Sequence, residues 1–141
     1  MRKQTEIDTC NARISSTQNQ VSGSKAKIAT YEAKIKELKE AYESMKTTKS
    51  DFKDQKKALK NLLENSDDSW TGNLYDTKYD TPIDSLIDEV KTVIGNIDDN
   101  LDNINNKITE YENIILREES ILGGLYSVLN SLWGQLENLF N

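Results

Sequence analysis

The residues whose type and spacing could do chemistry in this chain are two carboxylate pairs, Asp84/Asp88 and Asp98/Asp102. Four residues apart on a helix, each pair shares a face and could offer oxygen ligands to a divalent cation. The simpler reading is a solvated acidic face, and nothing nearby extends either pair into a site. The 141-residue chain has no histidine, which removes the usual general base and most zinc and iron sites. Its single cysteine, Cys10, falls among apolar positions and reads as a small buried hydrophobe, with a crosslink across a dimer interface as the alternative. No glycine-rich phosphate loop, cysteine cluster or nucleophile–base pair occurs. The lysines of the first half alternate with glutamates, which argues against a nucleic-acid patch. The expectation is a protein that is not an enzyme, with no catalytic residues, metal or cofactor.

What remains is architecture. Charged residues make up 30% of the chain and hydrophobic ones 35%, with one proline and six glycines. Those proportions suit a narrow apolar seam between long helices better than a broad globular core. The length fits one domain spanning residues 1–141. The first residues, Met1-Arg2-Lys3-Gln4-Thr5-Glu6, lead into polar sequence without an apolar h-region, so no Sec signal peptide is expected. No run approaches the ~18 apolar residues that a spanning helix needs. A cytoplasmic protein is expected, one that would leave the cell only by another route. Lysine far outnumbers arginine, and asparagine and isoleucine are abundant, a usage common in low-GC bacteria.

Two segments keep a heptad register. In the first, about 4–65, one series is Ile7, Ile14, Val21, Ile28, Ile35, Tyr42, Lys49, Lys56 and Leu63. The other is Cys10, Thr17, Ser24, Tyr31, Leu38, Met45, Phe52 and Leu59. The second segment, about 82–140, is stricter. It runs Ile83, Ile87, Val90, Ile94, Ile97, Leu101, Ile104, Ile108, Tyr111, Ile115, Glu118, Leu122, Leu125, Leu129, Leu132, Leu136 and Leu139, with Glu118 the only charge. Thr81 suits an N-cap, Pro82 the first helical position, and Asp84 a capping box. At 1.5 Å per residue each helix would reach roughly 90 Å. The fold class expected is all-α: a long antiparallel, coiled-coil-like two-helix hairpin with its turn at about 66–81.

Charge favours pairing the two segments with each other. Through Asn65 there are fourteen Lys/Arg and nine Asp/Glu, hence +5; beyond it there are four and fifteen, hence −11. Together they give the chain's net −6. Single ion pairs contribute little to stability, but opposite flanks select the partner. A fold about residue 73 would place residue i near 146 − i, putting Phe52 near Ile94, Met45 near Leu101 and Leu38 near Ile108. At the open end this pairing sets Cys10, Thr17, Gly23 and Ser24 against the most apolar stretch, Ile121 to Phe140.

That stretch is wider than one seam. Beside the core positions Leu122, Leu125, Leu129, Leu132 and Leu136 lie Ile114, Ile121 and Val128 on one flank. On the other lie Tyr126, Trp133 and Phe140. A two-helix hairpin has one seam to fill, so the surplus points to another helix, from a foreign partner or a second copy. Ordinary core remains an alternative, and a lipid surface is disfavoured by the acidic second half. Gly123-Gly124 interrupts the stretch and would permit a bend or the close approach of another backbone.

The break between the helices contains Trp70-Thr71-Gly72. Two long helices with Trp-x-Gly at the turn resemble the WXG superfamily of small type VII secretion substrates. The chain is longer than the usual member and looks closer to the WXG-like proteins that accompany LXG-domain toxins in low-GC Gram-positive bacteria. The resemblance implies a targeting adaptor or chaperone that binds the helical N-terminal region of a toxin, with or without a second small helical partner, and promotes its export. It also implies that Trp70 and Gly72 belong to the turn surface read by the secretion machinery or partner, although Trp70 could equally just cover the hairpin end. The partner-binding surface would be Ile121, Leu122, Leu125, Tyr126, Val128, Leu129, Leu132, Trp133, Leu136 and Phe140. Many exported hairpins carry Tyr-x-x-x-Asp/Glu after the second helix; here Tyr126-Ser127-Val128-Leu129-Asn130 ends in an amide, so the partner would supply the signal in any co-secretion. The alternative is a self-assembling structural coiled-coil protein.

Overall fold

A computed structural model of the chain describes residues 2–69 and 81–141. It contains two helices, α1 (Arg2–Ser69) and α2 (Thr81–Phe140). Trp70 and Gly72, on which the turn motif rests, lie outside the described residues, as do Tyr75 and Tyr79. Helix α1 extends four residues past Asn65, where the run Ser66-Asp67-Asp68-Ser69 suggested a stop. Those residues are weak helix formers, not breakers, and propensity differences of a few tenths of a kcal/mol do not end a helix that is already propagating. The glycine pair likewise leaves α2 uninterrupted.

The seam positions of α1, from Ile7 to Leu63, are all shielded from solvent at least in part, and every other α1 residue whose side chain is described is exposed. In α2 all seventeen seam positions are shielded, joined only by Asp98, Ile114 and Gly134. Writing the two series of α1 as heptad positions a (Ile7) and d (Cys10), the flanking e and g positions border the seam on opposite sides.

The chain divides into two compact units: Met1–Glu37 with Ile108–Asn141, and Leu38–Lys107. In the first unit the helices run antiparallel. Cys10 Sγ donates to the Leu132 carbonyl at 3.3 Å. Ser24 Oγ donates to Glu118 Oε1 at 2.9 Å. The rings of Tyr31 and Tyr111 lie 5.1 Å apart, tilted by 58°. In each contact the two residue numbers add to 142, one helical turn away from the pairing expected of a fold about residue 73. The core is Cys10, Ile14, Val21, Leu129, Leu132 and Leu136, bordered by Ile7, Leu122, Leu125 and Leu139.

This register resolves the mismatch expected at the open end. Small side chains of α1 face the leucines of α2, and Leu132 is the most enclosed residue at 1% exposure. The buried Thr17 hydroxyl donates to the Arg13 carbonyl one turn back, at 2.8 Å. Glu118, the charge in the α2 seam, meets Ser24 and also Lys27, whose Nζ is 3.3 Å away. Among the described residues, no buried side-chain nitrogen or oxygen lacks a partner.

In the second unit Ile87, Ile97 and Leu101 are the buried apolar residues, and two seam positions of α1 are lysines. Lys49 reaches out of the seam to pair with Asp98. Lys56 has its pKa lowered, first by partial desolvation in the seam and then by the charges of Lys60, Lys91 and Lys53.

Two outcomes follow. Leu132→Ala should destabilise the fold by about 2–5 kcal/mol in chemical denaturation, because it opens a cavity in the tightest layer, whereas Phe140→Ala should change it by less than ~0.5 kcal/mol. Lys56→Leu should raise the melting midpoint. The native lysine holds its proton less readily than the unfolded one, so its destabilisation is complete below the lowered pKa. It fades as pH rises through that value toward the ordinary lysine range. The melting difference between variant and native chain, followed from neutral pH upward, should therefore shrink.

Candidate partner-binding surface

The sequence-selected residues of α2 divide into two groups. Leu122, Leu125, Leu129, Leu132 and Leu136 are seam residues shielded by α1. Ile121, Tyr126, Val128, Trp133 and Phe140 are exposed, from 40% at Tyr126 to 69% at Phe140. The surface open to a partner is therefore this second group alone. The leucines support it from below.

Heptad spacing sorts the exposed group into two strips. Ile121 and Val128 occupy g positions and continue from the half-buried Ile114. Tyr126, Trp133 and Phe140 occupy e positions on the other side of the seam. Lys25 of α1 stands over the Tyr126 ring, 5.7 Å from its centroid, and fixes one end of the aromatic strip. The remaining α1 e positions in this part of the unit are Asn11 and Gln18, whose amides are too short and polar to cover aromatic rings. The strip stays open because α1 has no apolar side chain at the e positions beside it.

A groove of about 430 Å³ lies on the g side near the helix ends, lined by residues including Glu6, Cys10, Arg13 and Gln135. Cys10 is 5% exposed and its thiol is engaged by the Leu132 carbonyl, which makes it a core residue with no visible route to a disulfide. The glycine pair has open space around it: a Cβ built on Gly123 or Gly124 would meet nothing within 4 Å. No close backbone approach within the chain explains these glycines. Of the carboxylate pairs, Asp98 is turned to Lys49. Among the described residues no group of three or more Cys, Asp or Glu is placed to hold a metal ion. Among the same residues, no helix is long and apolar enough to cross a membrane.

Two features escaped the sequence reading. The first is the Ser24–Glu118–Lys27 layer, which was detectable as the polar residues in otherwise apolar seam series. The second is a gathering of lysines in the other unit. Lys46, Lys49 and Lys53 line a groove of about 310 Å³ with Tyr42, Ser50 and Leu101. Its signal was the seven-residue spacing of Lys39, Lys46, Lys53 and Lys60, hidden by the glutamates on other faces.

No curated protein matches the chain, and no solved structure does. A family model does match, described as YwqH-like, over residues 12–133. That span takes in most of α1 and all but the last turns of α2, and on it the chain belongs to the YwqH-like family.

Proposed function

We propose that this protein is a non-catalytic targeting adaptor that binds the helical N-terminal region of an LXG-type toxin and promotes its export by type VII secretion. YwqH-like proteins are associated with LXG toxin systems, which supports the choice of client. The observation that carries the reading is the exposed aromatic strip Tyr126, Trp133 and Phe140 beside a seam that is already full. A helix offering apolar residues at heptad spacing would cover it. Fully burying what the three rings still expose, roughly 300 Å², would contribute about 7 kcal/mol before the cost of association. The client's own apolar residues would bury a matching area, and the two contributions together work against the cost of association.

In this reading Trp70 and Gly72 form the turn surface presented to the secretion machinery, and the client supplies the export signal. Gly123, at the b position next to the aromatic strip, leaves that surface of α2 low enough for a client backbone to approach closely.

Two experiments test this. Tyr126→Glu with Trp133→Glu should weaken binding of the toxin's helical region at least about 100-fold while leaving the far-ultraviolet helical signal unchanged. Unaltered affinity in a folded variant would mean that the strip is not the docking surface. Gly123→Ala with Gly124→Ala should raise the stability of the free protein by about 1–2 kcal/mol, since each glycine costs nearly 1 kcal/mol in a helix. The same pair should weaken the complex. Tighter binding by the alanine variant would rule out close backbone approach at this point.

A further inference from the structure

The second unit carries a group of lysines with no ion-pair partner among the described residues. From Lys46 to Lys60 the e and b positions of α1 are Lys46, Ser50, Lys53, Lys57 and Lys60, with no acid among them. Asp51 and Asp54 fall at c and f, away from the seam's e side. Lys49 is paired with Asp98. Among the described residues, none of Lys53, Lys56, Lys57, Lys60 and Lys91 has a carboxylate within ion-pair distance. Lys60, Lys91 and Lys53 each lie near enough to Lys56 to help lower its pKa, beside the larger effect of its own desolvation. Holding like charges together opposes folding, and the repulsion is relieved by any anionic group that can lie against them.

The groove beside this cluster has a mixed lining. Lys46, Lys49 and Lys53 supply charge, and Tyr42 and Leu101 supply an apolar floor. The Lys46 ammonium stands 5.8 Å from the centroid of the Tyr42 ring. The two sides differ in sign: α1 lines the groove with Lys46, Lys49 and Lys53, and α2, which lines it with Leu101, carries Asp98 and Asp102 beside that residue at its own e and b positions. A polyanion charged on all sides would be drawn to one wall and repelled by the other. A helix with carboxylates on one side and apolar residues beneath meets both requirements. The seven-residue lysine repeat, about 10.5 Å per step, matches the repeat of such a helix lying along α1.

We propose that this groove binds an acidic amphipathic helix of a partner protein, with its carboxylates against Lys46, Lys53 and Lys60 and its apolar edge on Tyr42 and Leu101. The site lies in the second unit and is separate from the aromatic strip, so either can fail without the other.

The test is fluorescence anisotropy of the full chain with labelled designed helical peptides, about three heptads long. One carries glutamate at heptad spacing and the other lysine at the same positions. The glutamate peptide should bind, and the lysine peptide should not. Lys46→Glu with Lys53→Glu should weaken the glutamate peptide by at least about tenfold, and added salt should weaken it further. Lys3→Glu, far along α1 in the other unit, should change nothing. Indifference to the Lys46/Lys53 reversal, or no binding of the glutamate peptide, would overturn the proposal. So would tighter binding of polyphosphate or duplex DNA than of the peptide, or a homodimer that the same reversal dissociates.

Discussion

A seam with strict three–four spacing can be satisfied in more than one register, and the Ser24–Glu118 contact selects among them. Slipping the first unit by a heptad would set the Glu118 carboxylate against Thr17 or Tyr31. A slip toward Thr17 would keep a hydroxyl but put Gln20 in the place of Lys27, and a slip toward Tyr31 would set a bulky ring where the small Ser24 now sits. The same register brings Cys10 to Leu132 and Tyr31 to Tyr111. The polar layer and the matching of small to large side chains thus agree on one register.

The exposed surfaces follow from that match. Because Cys10, Thr17 and Ser24 are small, α2 can bring its leucines against α1, and the core closes with both helices continuous. Closure uses the a and d positions completely. The apolar residues at e and g then have nothing left to pack on, since α1 offers Asn11, Gln18 and Lys25 along the aromatic strip. An apolar surface left over by a filled core, bordered by polar residues, is the arrangement expected of a binding site.

Periodicity made both helices and every seam position legible, because one-sided burial leaves the same spacing in the sequence that it leaves in the structure. Register was not legible from chain length. Folding about a midpoint assumes a turn of known size and helix ends at known residues, and α1 runs to Ser69. Matching Ser24 to Glu118 would have placed the register directly. The exposed apolar strip was half legible: spacing identified Tyr126, Trp133 and Phe140, but it could not separate them from the buried Leu129 and Leu132. That distinction depends on what α1 covers. The lysine groove was missed because alternation with glutamate along the chain says nothing about which helix face each charge occupies.

The most direct measurement of the central claim is size-exclusion chromatography with light scattering on the purified chain, alone and co-expressed with the helical N-terminal regions of candidate toxins. The account predicts a defined complex of fixed stoichiometry with one candidate, lost when Tyr126 and Trp133 are replaced by glutamate. A stable self-assembled oligomer, indifferent to every candidate and dispersed by those same substitutions, would contradict it and identify the strip as the contact of a structural coiled coil.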